Sequence, residues 1–195
     1  MSDYKPLSVR RIGLHAALVQ PAEKIARTVR TDSPALEVMT DLAHVTPATI
    51  EAGAAMDAAN QAMIRAGVRL LFVHNASAEL AGLITATDIL GEKPMRLVQE
   101  RGLKHGEILV EDLMTPLALL EAMSIDEVAH AQVGHIVATL ERAGRQHVLV
   151  AETGRAGAMA IRGIFSSSQI ARQLGTTIAG SDAAATFSEL VTRLG

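Results

Sequence analysis

Four short motifs occur twice in this chain, in the same order, and that duplication constrains the fold more than any other feature. "VMT" (38–40) returns as "LMT" (113–115), and "IRAG" (64–67) as "ERAG" (141–144). "VRLLFVH" (68–74) returns as "RQHVLVA" (145–151), and "GLITATDIL" (82–90) as "GIFSSSQIA" (163–171). The surplus residues of the second copy fall in the glycine-rich "AETGRAGAMA", where a hairpin turn tolerates insertion. A chain built this way is expected to fold as two similar units.

Each copy has the same pattern. In "GAAMDAANQAMIRAG" the apolar residues Ala55, Ala59, Ala62, Met63 and Ala66 follow the rhythm of an amphipathic helix, and Gly67 sits where a left-handed cap suits glycine. "VRLLFVH" and "LAGLITA" flank "NASAE", a hairpin signature. After Thr85 the pattern turns helical again. The second copy repeats this, with a helix near "GHIVATLERAG" and another from "SSSQIARQL". Each unit therefore reads as β-α-β-β-α, too small to bury both helix faces alone, so two copies must share a core. The expected divisions are an N-terminal arm (1–35), repeat one (36–95), a charged and partly helical linker (96–109), repeat two (110–176) and a helical tail (177–195) capped at Ser181 or Asp182.

Composition removes several functions. With no cysteine there is no disulfide, thiolate metal site or cysteine nucleophile. No apolar run approaches the ~20 residues that span a bilayer, and "IGLHAALVQP" is too short and interrupted for a signal core; a cytoplasmic protein without a membrane role is expected. Tyr4, Phe72, Phe165 and Phe187 are the only aromatics, too few for base stacking, and the net charge is −3. The basic arm (Lys5, Arg10, Arg11, Lys24, Arg27, Arg30) reads as solvated, so nucleic acid is not an expected partner. His130 and His135, five apart, do not share a helix face, and no metal site is expected. No catalytic triad, paired carboxylates or P-loop appears, so the chain is not read as an enzyme.

The order of Val38-Met39-Thr40, Leu113-Met114-Thr115-Pro116 and the long stretch from His44 to Leu90 resembles a tandem pair of CBS domains, the Bateman module, over roughly residues 36–175. The resemblance implies an α/β (α+β) fold of two β-α-β-β-α CBS repeats packed with pseudo-two-fold symmetry, usually assembled into a homodimer. It implies a regulatory module with no required cofactor, whose inter-repeat cleft binds AMP, ADP, ATP or S-adenosylmethionine and signals to an effector protein. The alternative is a dimerisation or docking module that binds no small molecule.

Thr85-x-x-Asp88 and Ser166-x-x-Gln169 both have capping-box spacing, which alone would explain them. The resemblance adds a ligand role, in which Thr85 and Thr87 offer hydroxyls to phosphate beside the helix N-terminus and Asp88 accepts from the ribose hydroxyls. Gln169 serves a cap as well as an acid does but lacks the charged two-oxygen acceptor, so unequal sites are expected, the Asp88 site being the stronger. Arg69, Arg145, His147 and Arg162 are candidate phosphate partners, with Ser166 and Ser168 in the second repeat and Thr46 near the first. Val45, Leu71 and Ile84 are the candidates for holding adenine. Leu70 and Phe72 depart from the Arg and Pro that the family often carries there.

Overall fold

The computed structural model describes residues 28–154 and 158–175. The expected tail helix and its cap at Ser181 or Asp182 lie outside the described residues, as does most of the basic arm.

Two four-stranded sheets organise the chain. The first unit supplies β2 (Thr49–Glu51), α1 (Met56–Ala66), the hairpin β3 (Leu70–His74) and β4 (Leu80–Thr85), and the short helix α2 (Ala86–Leu90). The second supplies β6 (Ala122–Ser124), α6 (Val133–Ala143), the hairpin β7 (His147–Thr153) and β8 (Met159–Ser166), and α7 (Ser167–Gln173). Both long helices end as expected, Gly67 and Gly144 taking the left-handed conformation with φ of 64° and 60°. The link between units holds α3 (Lys93–Arg101) and α4 (Val110–Leu113), and α5 (Ile125–Ala129) follows β6.

The opening strands are exchanged. β1 (Thr40–Asp41), which begins the first unit, pairs antiparallel with β8 of the second, and β5 (Thr115–Pro116), which begins the second, pairs with β4 of the first. The sheet orders are therefore β2-β3-β4-β5 and β1-β8-β7-β6. The repeated glycines make this possible. A β-carbon on Gly82 would collide with the Thr115 carbonyl oxygen, and one on Gly163 would stand 2.5 Å from Met39 Sδ. Each glycine thus gives room to the opening motif of the opposite copy.

The segments just before these strands cross over too. Val29 and Ala35 are buried against α6 and α7, with Val29 N–H donating to Gln173 O at 2.9 Å and Ala35 N–H to Ala131 O at 2.9 Å. In mirror fashion Ile108 and Val110 are buried in the first unit, where Met56 N–H donates to Ile108 O at 2.9 Å.

Strand alternation divides the apolar side chains among three cores. Leu71, Val73 and Ile84 face α1 and α2 with Met56 and Met63, while Val150, Phe165 and Ile170 face α6 with Ile136 and Leu140. Leu70, Phe72 and Leu83 point the other way and meet Leu149, Ile161 and Ile164 of the second sheet, which joins the units face to face. Truncating the fully buried Phe165 to Ala costs about 3–5 kcal/mol.

Candidate functional site

Two clefts open where the beginnings of β3 and β7 approach the helices that follow the hairpins. Leu70 and His147, equivalent residues of the two copies, line both clefts. The first cleft, about 460 Å³, joins Thr85, Thr87 and Asp88 of unit one to Arg145, Gln146 and His147 of unit two. The second, about 230 Å³, joins Ser166, Ser168 and Gln169 of unit two to Val45, Thr46 and Arg69 of unit one. Each cleft therefore takes its hydroxyl-bearing turn from one unit and its basic strand start from the other. Arg69, three positions before Phe72 in the first repeat, does not stand with Asp88.

The Asp88 carboxylate is well anchored. Asp88 Oδ2 accepts from Thr85 N–H at 2.8 Å and from Thr85 Oγ1 at 2.6 Å, while Asp88 N–H donates to Thr85 Oγ1 at 3.3 Å. This is the expected capping box, a device that stabilises by about 1 kcal/mol. Asp88 Oδ1 is bound by the Lys93 ammonium, which also donates to Leu113 O at 3.2 Å. The carboxylate side chain keeps 12% of its exposure. Lys93 has no counterpart in the repeated motifs and gave no periodic signal. α2 is only five residues long, so the helix field expected to help a phosphate there is small.

The corresponding box in the second copy does not form, contrary to expectation. Ser166 caps α7 without a side-chain bond; its hydroxyl lies 3.0 Å from that of Ser168. Gln169 Oε1 accepts from Thr40 Oγ1 at 3.1 Å, because the exchanged strand β1 brings that hydroxyl alongside.

Three candidates stand elsewhere than expected. Leu71 and Ile84 are 1% and 0% exposed in the first core, since alternation turns Leu70 and Leu83 toward the cleft. Arg162 lines neither cleft; its guanidinium holds Asp41 through two bonds of 2.8 and 2.7 Å and reaches Glu152 at 3.2 Å. That pairing, and then the Ala43 N–H, keep the Asp41 carboxyl well below the usual carboxylate range. Asp41 was not a sequence candidate, and a contact across this separation leaves no signal in one sequence.

Electrostatically the clefts differ. Arg145 pairs with Glu121 at 2.8 Å, so the first cleft mixes both signs. Burial, followed by the charge of Arg69, pushes the His147 imidazole down to about 4, which leaves it neutral at physiological pH.

No family model matches the chain, and no curated protein matches it. Solved structures do. One is an uncharacterized conserved protein from Pyrococcus horikoshii, 21% identical, with a TM-score of 0.53, covering 78% of this chain and all of the other. A second is CBSX2 in complex with AMP, 18% identical, with a TM-score of 0.50, covering 72% of this chain and 94% of the other. The fold is that of a CBS-domain pair. A third structure, the CBS domain pair of protein MJ0100 in complex with 5′-methylthioadenosine and S-adenosyl-L-methionine, is 17% identical with a TM-score of 0.49. In CBS-pair terms the repeats are the two motif copies, and both clefts lie between them. No helix among the described residues is long and apolar enough to cross a membrane.

Proposed function

We infer that this CBS pair is a regulatory module whose first cleft receives an adenosine-containing ligand, AMP, ADP, ATP or S-adenosylmethionine, without a required cofactor or a catalytic step. The observation that carries the reading is the convergence of Asp88, Thr85 and Thr87 with Arg145 and His147 around about 460 Å³. That volume falls within the ~300–1,000 Å³ usual for small-molecule sites. In this reading Asp88 accepts from the ribose hydroxyls once Lys93 gives up Oδ1. Thr87 and Arg145 face the phosphate, and Leu70 and Leu83 replace Leu71 and Ile84 as apolar neighbours of the base. The AMP carried by CBSX2 supports an adenylate as the first ligand to try.

Because the cleft is built from both units, a ligand that fills it favours one packing of the repeats over another. That packing is what a homodimer in the cytoplasm would present to an effector protein. Thermal melting of the full chain with each of the four ligands tests the proposal. Melting should rise with at least one, and Asp88→Ala should abolish the rise. No shift at millimolar concentration for any of them sinks it.

A second reading is favoured by the anchoring of Asp88, whose two oxygens are already bonded within the chain. Under it the pair is a dimerisation or docking module with no small ligand. Partner capture that is indifferent to nucleotide supports this reading.

A further inference from the structure

A third hollow lies at the hairpin ends of the two sheets, away from the hydroxyl-bearing turns. It holds about 910 Å³, roughly twice the first cleft. Equivalent residues of the two copies line it in pairs, Leu42 with Leu117, Phe72 with Leu149 and Leu80 with Ile161, so it sits on the axis relating the repeats. Phe72 and Leu149 also line one cleft each, and so partition the hollow from both. Small residues of the second unit open the space, Ala151 standing where the first copy has His74, with Ala122 and Ala160 beside it. Among the described residues no Asp, Glu, Lys or Arg lines the hollow, and Thr49 and His74 are its polar side chains. His74 Nδ1 donates to Asn75 O at 3.2 Å, which leaves Nε2 of the neutral ring a bare acceptor. At the rim Leu80, Leu117 and Met159 keep 36%, 45% and 73% of their exposure.

We propose that this hollow binds an uncharged lipophilic small molecule, mostly hydrocarbon with one hydroxyl-type polar end. The volume lies in the upper part of the ~300–1,000 Å³ usual for small-molecule sites. A lining without charge penalises phosphates, carboxylates and nucleotides, whose desolvation nothing there would offset. Each apolar group that leaves water for it is stabilised instead. His74 Nε2 offers the hydroxyl an acceptor. A polypeptide is a poorer fit. The walls are mainly β3, β4, β7 and β8, each hydrogen-bonded to a strand on both sides, so an incoming chain finds no free edge on them. The proposal goes beyond the adenosine reading of the first cleft and does not require it.

The probe is Nile red, a neutral lipophilic dye, titrated into the full chain by fluorescence and then displaced with 1-alkanols. One dye is expected per chain. Displacement should tighten about fourfold per methylene from hexanol to decanol, and decanoate should compete about tenfold less well than decanol. Leu117→Asp sets a charge in the wall and Ala160→Trp fills the space; each should weaken dye binding about tenfold. Both positions are exposed, and unliganded melting curves verify that the variants fold. The proposal is overturned by an absence of saturable dye binding, or by binding that survives both substitutions. It is overturned too if AMP displaces the dye, which would place the dye in a cleft. A rise in dye binding on replacing Leu190 and Val191 by Ser would overturn it by naming the chain's own tail as the occupant. A fall in dye binding as the chain self-associates would do so by naming a second copy. Failure of adenylate binding with dye binding intact would remove the sensor reading alone.

Discussion

Lys93 closes on Asp88 from the start of α3, so the acid that would grip a ribose is already held by a cation of the segment linking the two repeats. The same ammonium reaches Leu113 O, at the threshold of the exchanged strand β5. A ligand that takes Asp88 must loosen this tie, which gives the first cleft a mechanical route to the linker.

Replacing Lys93 by Met removes the competitor. Adenosine, which carries no phosphate to be repelled by the freed carboxylate, should bind the variant several-fold more tightly. Calorimetry compares the two proteins, and equal or weaker binding by the variant would show that Lys93 assists the ligand instead of competing with it.

Gly82 and Gly163 are equivalent in sequence but not in what they touch. An added β-carbon meets backbone at Gly82 and the flexible Met39 side chain at Gly163. Gly82→Ala should therefore destabilise by roughly 1–3 kcal/mol or more, as overpacking does, and Gly163→Ala by clearly less, since a thioether adapts. Urea unfolding of both variants checks the order.

His147 contributes a pH dependence whose sign follows from its lowered pKa. The unfolded chain takes up a proton near 6.5, whereas the folded one waits until about 4. Between these values the unfolded state binds more protons, so stability is full above about 6.5 and falls as the pH drops toward 4. The loss is on the order of 3 kcal/mol. His147→Gln should flatten denaturant midpoints over that window. Asp41 acts lower down: its depressed pKa means the stability it brings with Arg162 is lost only as pH falls below the ordinary carboxylate range.

The Arg162–Asp41 pair binds the exchanged strand β1 to β8, and its side chains are 29% and 23% exposed. Arg30 and Asp32 are also paired, but at 80% and 57% exposure. A double-mutant cycle should give a larger coupling for the first pair than for the second, because exposed pairs are screened and flexible. Equal couplings would mean that the clamp does not hold the exchanged strand.

Local chemistry was legible in the sequence wherever neighbours decided it. The Gly67 and Gly144 caps, the hairpin around "NASAE" and the Thr85–Asp88 box depend on residues within a few positions of one another, and all stand as expected. Leu71 and Ile84 could have been placed better, since the two-residue period of a strand sets them opposite Leu70 and Leu83. The Gln169 cap failed for a different reason: its competitor, Thr40, lies 129 positions away. Lys93 and Asp41 leave no such signal, as partners fixed by the tertiary fold and not by spacing.

The crossing of β1 and β5 makes the two halves of the gene complementary parts. A chain cut between Leu90 and Lys93 would yield fragments that each lack one edge strand and expose the partner strand's unpaired amides. Neither half should be soluble alone, yet the two expressed together should find each other. Duplication of an ancestral repeat would then have had to begin with a pair of identical molecules already clasped in this way.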